Sequence, residues 1–117
     1  MSKNKSKFTI FQSAESGEWY WSLKAPNNKV ILQSEGYVSK FGAIKGTISC
    51  RFNALRKKSI KVFRGLDKQF YFHMVAMNNK IIGVSEGYKR RAGRTNGIDS
   101  VRKNAPFAGM SIELSEK

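Results

Sequence analysis

The sequence predicts an α+β protein in which two tandem β-β-β-α repeats share one antiparallel sheet, with both helices on one face and a short C-terminal strand. Three observations predict this fold: a duplication at an offset of 51 residues, alternating apolar and polar residues in three short segments of each copy, and helical spacing in a fourth. With 117 residues, the chain has room for a single domain.

The duplication extends over 36 positions without a gap. Residues 19–54 align with residues 70–105 at fifteen identities, which is more than chance would give. The single domain therefore contains two repeats, at about residues 7–57 and 58–114, after a flexible basic N-terminus at residues 1–6.

Each repeat begins with three predicted strands. Apolar and polar residues alternate along them, which is typical of strands with one buried face. The predicted strands are residues 8–11, 19–25 and 29–34 in the first repeat and 60–63, 70–76 and 80–85 in the second. The Asn-Asn pairs before the third strands predict tight primed turns, because asparagine tolerates positive φ.

A helix of about four turns follows the strands of each repeat. Gly36 and Gly87 end the preceding strands, and the helices are predicted near residues 39–53 and 90–104. A final alternation at residues 110–114 predicts a seventh strand. Three strands and one helix are too few to close a core, so the repeats are expected to share one sheet.

The order of these motifs resembles the YegP-like family. In the second repeat the motifs are Ser-Glu-Gly-Tyr at residues 85–88 and Gly-Ile-Asp-Ser-Val at residues 97–101. These are small bacterial proteins of unknown function that occur as tandem pairs or as dimers of single copies. The resemblance covers about residues 7–105. It implies pseudo-twofold symmetry between the repeats and exchanged terminal strands, and it implies no reaction.

The first predicted helix has two candidate core faces. In the register of the family, Thr47, Cys50 and Ala54 face the core. The opposite side carries a larger apolar stripe at helical spacing, which consists of Phe41, Ile44, Ile48, Phe52 and Leu55. We favour a rotated helix that buries the stripe, since exposed patches of that size are uncommon on monomers. The alternative leaves the stripe exposed as a protein or dimer interface.

The charge is strongly basic and uneven. The chain has 22 Lys and Arg against 8 Asp and Glu, a net charge of +14, of which +12 lies in residues 36–66 and 89–117. Basic residues at a helix N-terminus oppose the helix dipole, so an anionic partner explains them better than the fold does. The predicted nucleic-acid-binding residues are Lys40, Lys45, Arg51, Arg56, Lys57, Lys58, Lys89, Arg90, Arg91, Arg94, Arg102 and Lys103.

We therefore predict a non-catalytic module that binds DNA or RNA through backbone phosphates, without base-specific contacts. Tyr20 and Tyr71 occupy equivalent positions on the open sheet face and are candidates for stacking bases, although cross-strand packing is the favoured interpretation. The rival hypothesis is a protein-interaction or homodimerisation module that uses four residues of the apolar stripe, Phe41, Ile44, Ile48 and Phe52. A third is a pocket for a small phosphorylated ligand between the repeats.

Several classes of function are not indicated. The sequence contains no Gly-rich phosphate loop, nucleophile elbow or Cys/His metal spacing, and it has one cysteine, Cys50, and one histidine, His73. We predict no enzyme, no cofactor, no metal and no internal disulfide. The N-terminus lacks the apolar core of a signal peptide and no stretch has the length of a membrane span, which predicts a soluble cytoplasmic protein without a membrane partner.

Overall fold

The computed structural model of the protein describes residues 5–113. The strands are β1 (Lys7–Gln12), β2 (Trp19–Lys24), β3 (Val30–Ser34), β4 (Ile60–Arg64), β5 (Phe70–Val75), β6 (Ile81–Val84) and β7 (Gly109–Ile112), and the helices are α1 (Lys40–Asn53) and α2 (Arg91–Asn104). The strands form one sheet in the order β4-β5-β6-β3-β2-β1-β7. This architecture confirms the predicted α+β fold of two β-β-β-α repeats.

The two repeats join at the centre of the sheet, where β3 pairs with β6 in antiparallel orientation. Gly83 makes this pairing possible. A Cβ atom on Gly83 would lie 2.9 Å from Cγ of Leu32 and 3.1 Å from the carbonyl oxygen of Gln33. A larger residue would therefore push β6 away from β3, while Leu32 fills the space above the glycine.

The last strand departs from the predicted all-antiparallel sheet. β7 follows the second repeat along the chain but pairs in parallel with β1 of the first repeat. The bond from the Gly109 N–H to the Ser6 carbonyl oxygen, 3.0 Å long, begins this pairing. Ser6 is buried, although it belongs to the segment predicted to be flexible. Residues 1–4 of that segment, and residue 114 of the predicted seventh strand, lie outside the described residues.

Both helices pack on the same face of the sheet. The rings of Phe8 and Trp21 meet edge to face at 5.3 Å beneath α1, and Phe72 occupies the corresponding layer in the second repeat. Val101 of α2 and Ala105 at its C-cap complete the buried cluster. Burial of these apolar side chains is the main stabilising contribution to the fold.

The favoured prediction that α1 rotates to bury its large apolar residues is wrong. The residues of α1 and its C-cap that face the core are Thr47, Cys50 and Ala54, at 0, 0 and 2 % exposure. Exposed instead are Phe41 (68 %), Ile48 (57 %), Phe52 (58 %) and Leu55 (72 %), with Ile44 partly buried at the border. The physical reason is lack of space, because a Cβ atom on Gly46 would lie 2.2 Å from the Tyr37 hydroxyl oxygen and 2.8 Å from Nε1 of Trp21.

The Asn-Asn turns also differ from the predicted primed turns. Only the second asparagine of each pair has positive φ, at 72° for Asn28 and 68° for Asn79. The Asn27 side chain instead accepts a hydrogen bond from the Lys29 N–H at 3.0 Å, and the Ala25 N–H donates to the Lys29 carbonyl oxygen. Each turn is therefore a loop of three residues with a single left-handed position.

Candidate nucleic-acid interface

Three arginine side chains converge on one aromatic ring at the start of α2. The guanidinium carbons of Arg64, Arg91 and Arg94 lie 4.9, 5.6 and 5.2 Å from the centroid of Phe70. Arg64 reaches this position because its pairing with Phe70 places it on the helix-covered face of the sheet. Cation–π attraction to Phe70 offsets only part of the mutual repulsion of the three charges.

The first turn of α2 lacks the side-chain cap that α1 has. In α1, Oγ of Ser39 accepts a hydrogen bond from the Gly42 N–H at 3.0 Å. The equivalent N-cap residue of α2 is Arg90, whose side chain has no acceptor and makes no capping hydrogen bond. Exposed backbone N–H groups at a helix N-terminus attract anions, so the amides of this turn add to the field of the arginine cluster.

Two hydrogen bonds connect α2 to residues 57–64, which run in the opposite direction. Nη1 of Arg94 donates to the Phe63 carbonyl oxygen at 3.2 Å, and Nη2 of Arg102 donates to the Lys57 carbonyl oxygen at 3.1 Å. The two arginines are eight positions apart, which corresponds to about 12 Å of helix. A row of cations therefore follows the edge formed by α2 and β4.

We name this surface the α2–β4 flank. It comprises Lys57, Lys58, Arg64, Lys89, Arg90, Arg91 and Arg94. Within residues 5–113 the structure contains one ion pair, at 3.9 Å between Nζ of Lys29 and Oε2 of Glu86, and neither residue belongs to the flank. No cation of the flank therefore forms an ion pair with a carboxylate in the described part of the chain.

Three predicted binding residues outside the flank have structural partners, as Arg94 within the flank also does. Nη1 of Arg102 donates to the carbonyl oxygens of Ala54 and Arg56 at the end of α1. Arg51 of α1 donates in the corresponding way to the Ala108 carbonyl oxygen, which follows α2. Arg56 also donates to a carbonyl oxygen of β5. These guanidinium groups hold the chain at the helix ends, which leaves them fewer donors for a phosphate.

Three other predicted binding residues lie off the flank. Lys40 and Lys45 belong to α1, and Nζ of Lys45 lies 5.6 Å from the ring centroid of Phe41. Lys103 lines a groove with the turn at residues 25–27, on another side of α2. The structure therefore brings together the cations that start α2 and those that follow α1, and it does not include these three lysines.

Arg64 and Phe70 belong to the cluster but were not predicted from the sequence. Ile60, Val62 and Arg64 alternate with residues of the open face in β4, and this alternation was the available signal for the position of Arg64. Arg64 is equivalent to Gln12 of the first repeat, since Gln12 pairs with Trp19 as Arg64 pairs with Phe70.

The candidate stacking tyrosines are packed against phenylalanines of the neighbouring strands. The Tyr20 ring stacks on Phe11 at 5.8 Å, and the Tyr71 ring stacks on Phe63 at 5.3 Å. The Tyr71 hydroxyl donates to Oδ2 of Asp67 at 2.6 Å, which lowers the pKa of Asp67 and raises the pKa of Tyr71. One face of each tyrosine is therefore occupied by a cross-strand partner.

Two equivalent grooves lie between the repeats. The first, of about 480 Å³, is lined by Glu35 and Tyr37 of one repeat and Lys80 of the other. The second, of about 370 Å³, is lined by the corresponding residues, including Lys29 and Glu86. A phosphate would meet one glutamate with two lysines, Lys45 and Lys80, in the first groove and one glutamate with one lysine in the second, so these grooves attract a phosphorylated ligand less strongly than the flank does.

Metal-ligating side chains do not assemble into a site in the described part of the chain. Among residues 5–113, no group of three or more His, Cys, Asp or Glu side chains could hold a metal ion. Cys50 is a free, buried thiol, and burial raises its pKa to about 12. In the same range, neither helix combines the length and the apolar character that a membrane crossing requires.

The fold and the flank define a small basic α+β protein built from a tandem β-β-β-α repeat. A family model described as "Domain of unknown function (DUF1508)" matches residues 14–58 and 67–110, one match in each repeat. The chain belongs to this family, which confirms the resemblance to YegP-like proteins.

Relatives support the family and the fold over nearly the whole chain. UPF0339 protein YegP of Yersinia pestis is 37 % identical over 105 residues, covering 90 % of each chain. UPF0339 protein PA0329 of Pseudomonas aeruginosa is 33 % identical over 102 residues, covering 87 % of this chain and 93 % of the relative. The solution NMR structure of the E. coli protein of unknown function yegP matches with a TM-score of 0.90 and 30 % identity, covering 100 % and 99 % of the two chains.

Proposed function

We propose that the protein is a non-catalytic module that binds nucleic acid, DNA or RNA, through backbone phosphates at the α2–β4 flank in the cytoplasm. The observation that carries this proposal is the convergence of Arg64, Arg91 and Arg94 on Phe70, beside the N-terminus of α2. Arginine suits this function because its planar guanidinium forms two parallel hydrogen bonds with a phosphate.

The first repeat shows that the fold does not require this cluster. At the positions equivalent to Arg64, Arg91 and Arg94 it has Gln12, Lys40 and Ala43. Three guanidinium groups around one ring repel one another, and a bound phosphate would convert that repulsion into attraction. Arg64 and Arg94 each also donate to a backbone carbonyl oxygen, but the first repeat folds without either arginine, so a ligand explains the full cluster better than stability alone does.

The salt dependence of binding tests the proposal. If about six phosphates are neutralised, the affinity for a DNA duplex of about 20 base pairs has a log–log salt slope of about −5. Replacing Lys89, Arg90 and Arg91 together by glutamine removes three flank charges and makes the slope shallower by about 3. Fluorescence anisotropy with a labelled duplex and with single-stranded RNA measures both effects and gives the preference between the two.

A matched control separates the site from the net charge. Replacing Lys5, Lys7 and Lys24 by glutamine removes the same charge from the first two strands and the residue near their start, at the other end of the sheet from β4. We expect this control to retain most of the affinity at moderate salt. Equal losses in the two variants, or no binding of wild type at low salt, would contradict the proposal.

A further inference from the structure

The exposed side of α1 forms an apolar ridge, which we name the α1 ridge. It consists of Phe41, Ile48, Phe52 and Leu55. From Phe41 to Phe52 the ridge follows about 16 Å of helix, and the two phenylalanines alone leave on the order of 200–300 Å² uncovered. With Ile48 and Leu55 added, the patch has the size of the largest patches on monomeric proteins, which commonly serve binding.

The second repeat shows that the ridge is not needed for folding. α2 packs on the same sheet in the same register, with Val101 buried where α1 has Cys50. Its residues at the ridge positions are Ala92, Asp99, Lys103 and Pro106. The same helix environment therefore accepts small, acidic and basic residues at these positions, so stability does not account for the four large apolar side chains of α1.

The surroundings of the ridge are basic. α1 contains no acidic residue, and two of its basic residues, Lys40 and Lys45, lie beside Phe41 in the sequence or in space. Nζ of Lys45 lies 5.6 Å from the ring centroid of Phe41, and Lys40 begins the helix. A partner that covers the ridge must therefore supply apolar side chains in the middle and negative charge at the border.

We propose that the α1 ridge docks an acidic amphipathic helix of a partner protein. Apolar residues of that helix pack on Phe41, Ile48 and Phe52, while its carboxylates pair with Lys40 and Lys45. A second copy of the chain is a poorer occupant, because two ridges in contact would bring the same lysines together in proteins of net charge +14.

Synthetic peptides test the charge preference. The acidic probe is a peptide of about 18 residues with leucine at helical spacing and glutamate elsewhere, and the basic probe has lysine in place of each glutamate. We expect the acidic peptide to bind wild type and the basic peptide to bind at least about 30-fold more weakly. Equal binding of the two peptides, or no binding of the acidic one, would overturn the proposal.

Substitutions taken from α2 locate the binding surface. The variant Phe41→Ala/Ile48→Asp/Phe52→Lys gives α1 the residues that α2 has at these positions, so we expect it to fold, and it should bind the acidic peptide at least about 30-fold more weakly. If circular dichroism shows that this triple variant is unfolded at the temperature of the binding assay, the single variant Phe41→Ala provides the same comparison. Unchanged peptide binding in a folded ridge variant would refute the assignment.

Two further measurements separate this surface from its competitors. Replacing Arg90 and Arg91 by glutamine changes the flank and leaves the ridge intact, so peptide binding should persist in this variant. Loss of peptide binding there would show that the peptide is only a polyanion on the flank. Sedimentation velocity tests whether a second copy of the chain covers the ridge instead. If wild type is a dimer and the ridge variant is a monomer, the ridge serves self-association and the proposal is overturned.

Discussion

Replacing Gly46 with alanine tests the close packing between α1 and the sheet. Alanine stabilises an ordinary helix position over glycine by about 0.5–1 kcal/mol. At Gly46, however, the added Cβ would lie 2.2 Å from the hydroxyl oxygen of Tyr37 and 2.6 Å from its Cζ. Overpacking of this kind costs about 1–3 kcal/mol. We expect a net loss of about 1–2 kcal/mol in the free energy of unfolding, or a fall in Tm of about 4–8 °C.

The matched control is Gly42→Ala on the same helix. Its Cβ would have its nearest contact at 3.4 Å, an ordinary van der Waals distance, so this variant should be about 0.5–1 kcal/mol more stable than wild type. Urea unfolding followed by circular dichroism measures both changes. Adding Tyr37→Phe to Gly46→Ala removes the hydroxyl and should recover part of the loss. A Gly46→Ala variant as stable as Gly42→Ala would refute the reasoning.

Three other predictions concern single side chains. Tyr71→Phe removes the hydrogen bond that favours the ionised carboxylate of Asp67, so the pKa of Asp67 should rise toward its usual value in an NMR titration; an unchanged pKa would contradict the assigned bond. Cys50, buried with a pKa of about 12, should resist thiol reagents at about pH 8 until the protein unfolds, and rapid labelling of folded protein would argue against this burial. Arg102→Met should destabilise the fold by about 2–3 kcal/mol in urea unfolding because three backbone carbonyl oxygens lose a charged donor, whereas Lys103→Met should change stability by less than about 0.5 kcal/mol.

The order of the elements could be predicted because the duplication shows each of them twice. The register of α1 could not, since the sequence offers two faces and the choice depends on how Tyr37 fills the space against Gly46. The larger of two apolar stripes predicts the buried face of a helix only where the neighbouring strands leave room for its side chains. The parallel pairing of β7 was missed for a related reason, since strand alternation predicts which face is buried and not the direction of a partner.

The candidate interface was predictable in part. Charge counts located the cations in the segments around the helices, and the structure brings the start of α2 together with residues 57–64. Arg51 and Arg102 could not be separated from the binding residues by sequence, because only the fold brings backbone carbonyl oxygens within their reach. Arg64 was missed because the repeat alignment begins after the first strands, so no equivalent residue marked its position.

The reciprocal hydrogen bonds of Arg51 and Arg102 have a consequence for how the chain can be divided. Each arginine secures the segment that leaves the helix of the other repeat, and β7 closes the sheet across the same boundary. If the chain is cleaved between the repeats, each half loses the arginine hydrogen bond that the other half supplies and a strand that pairs with its own strands. If the two halves are produced together, we expect them to reassemble by fragment complementation. In a mechanical experiment, both halves should rupture in a single step rather than one after the other.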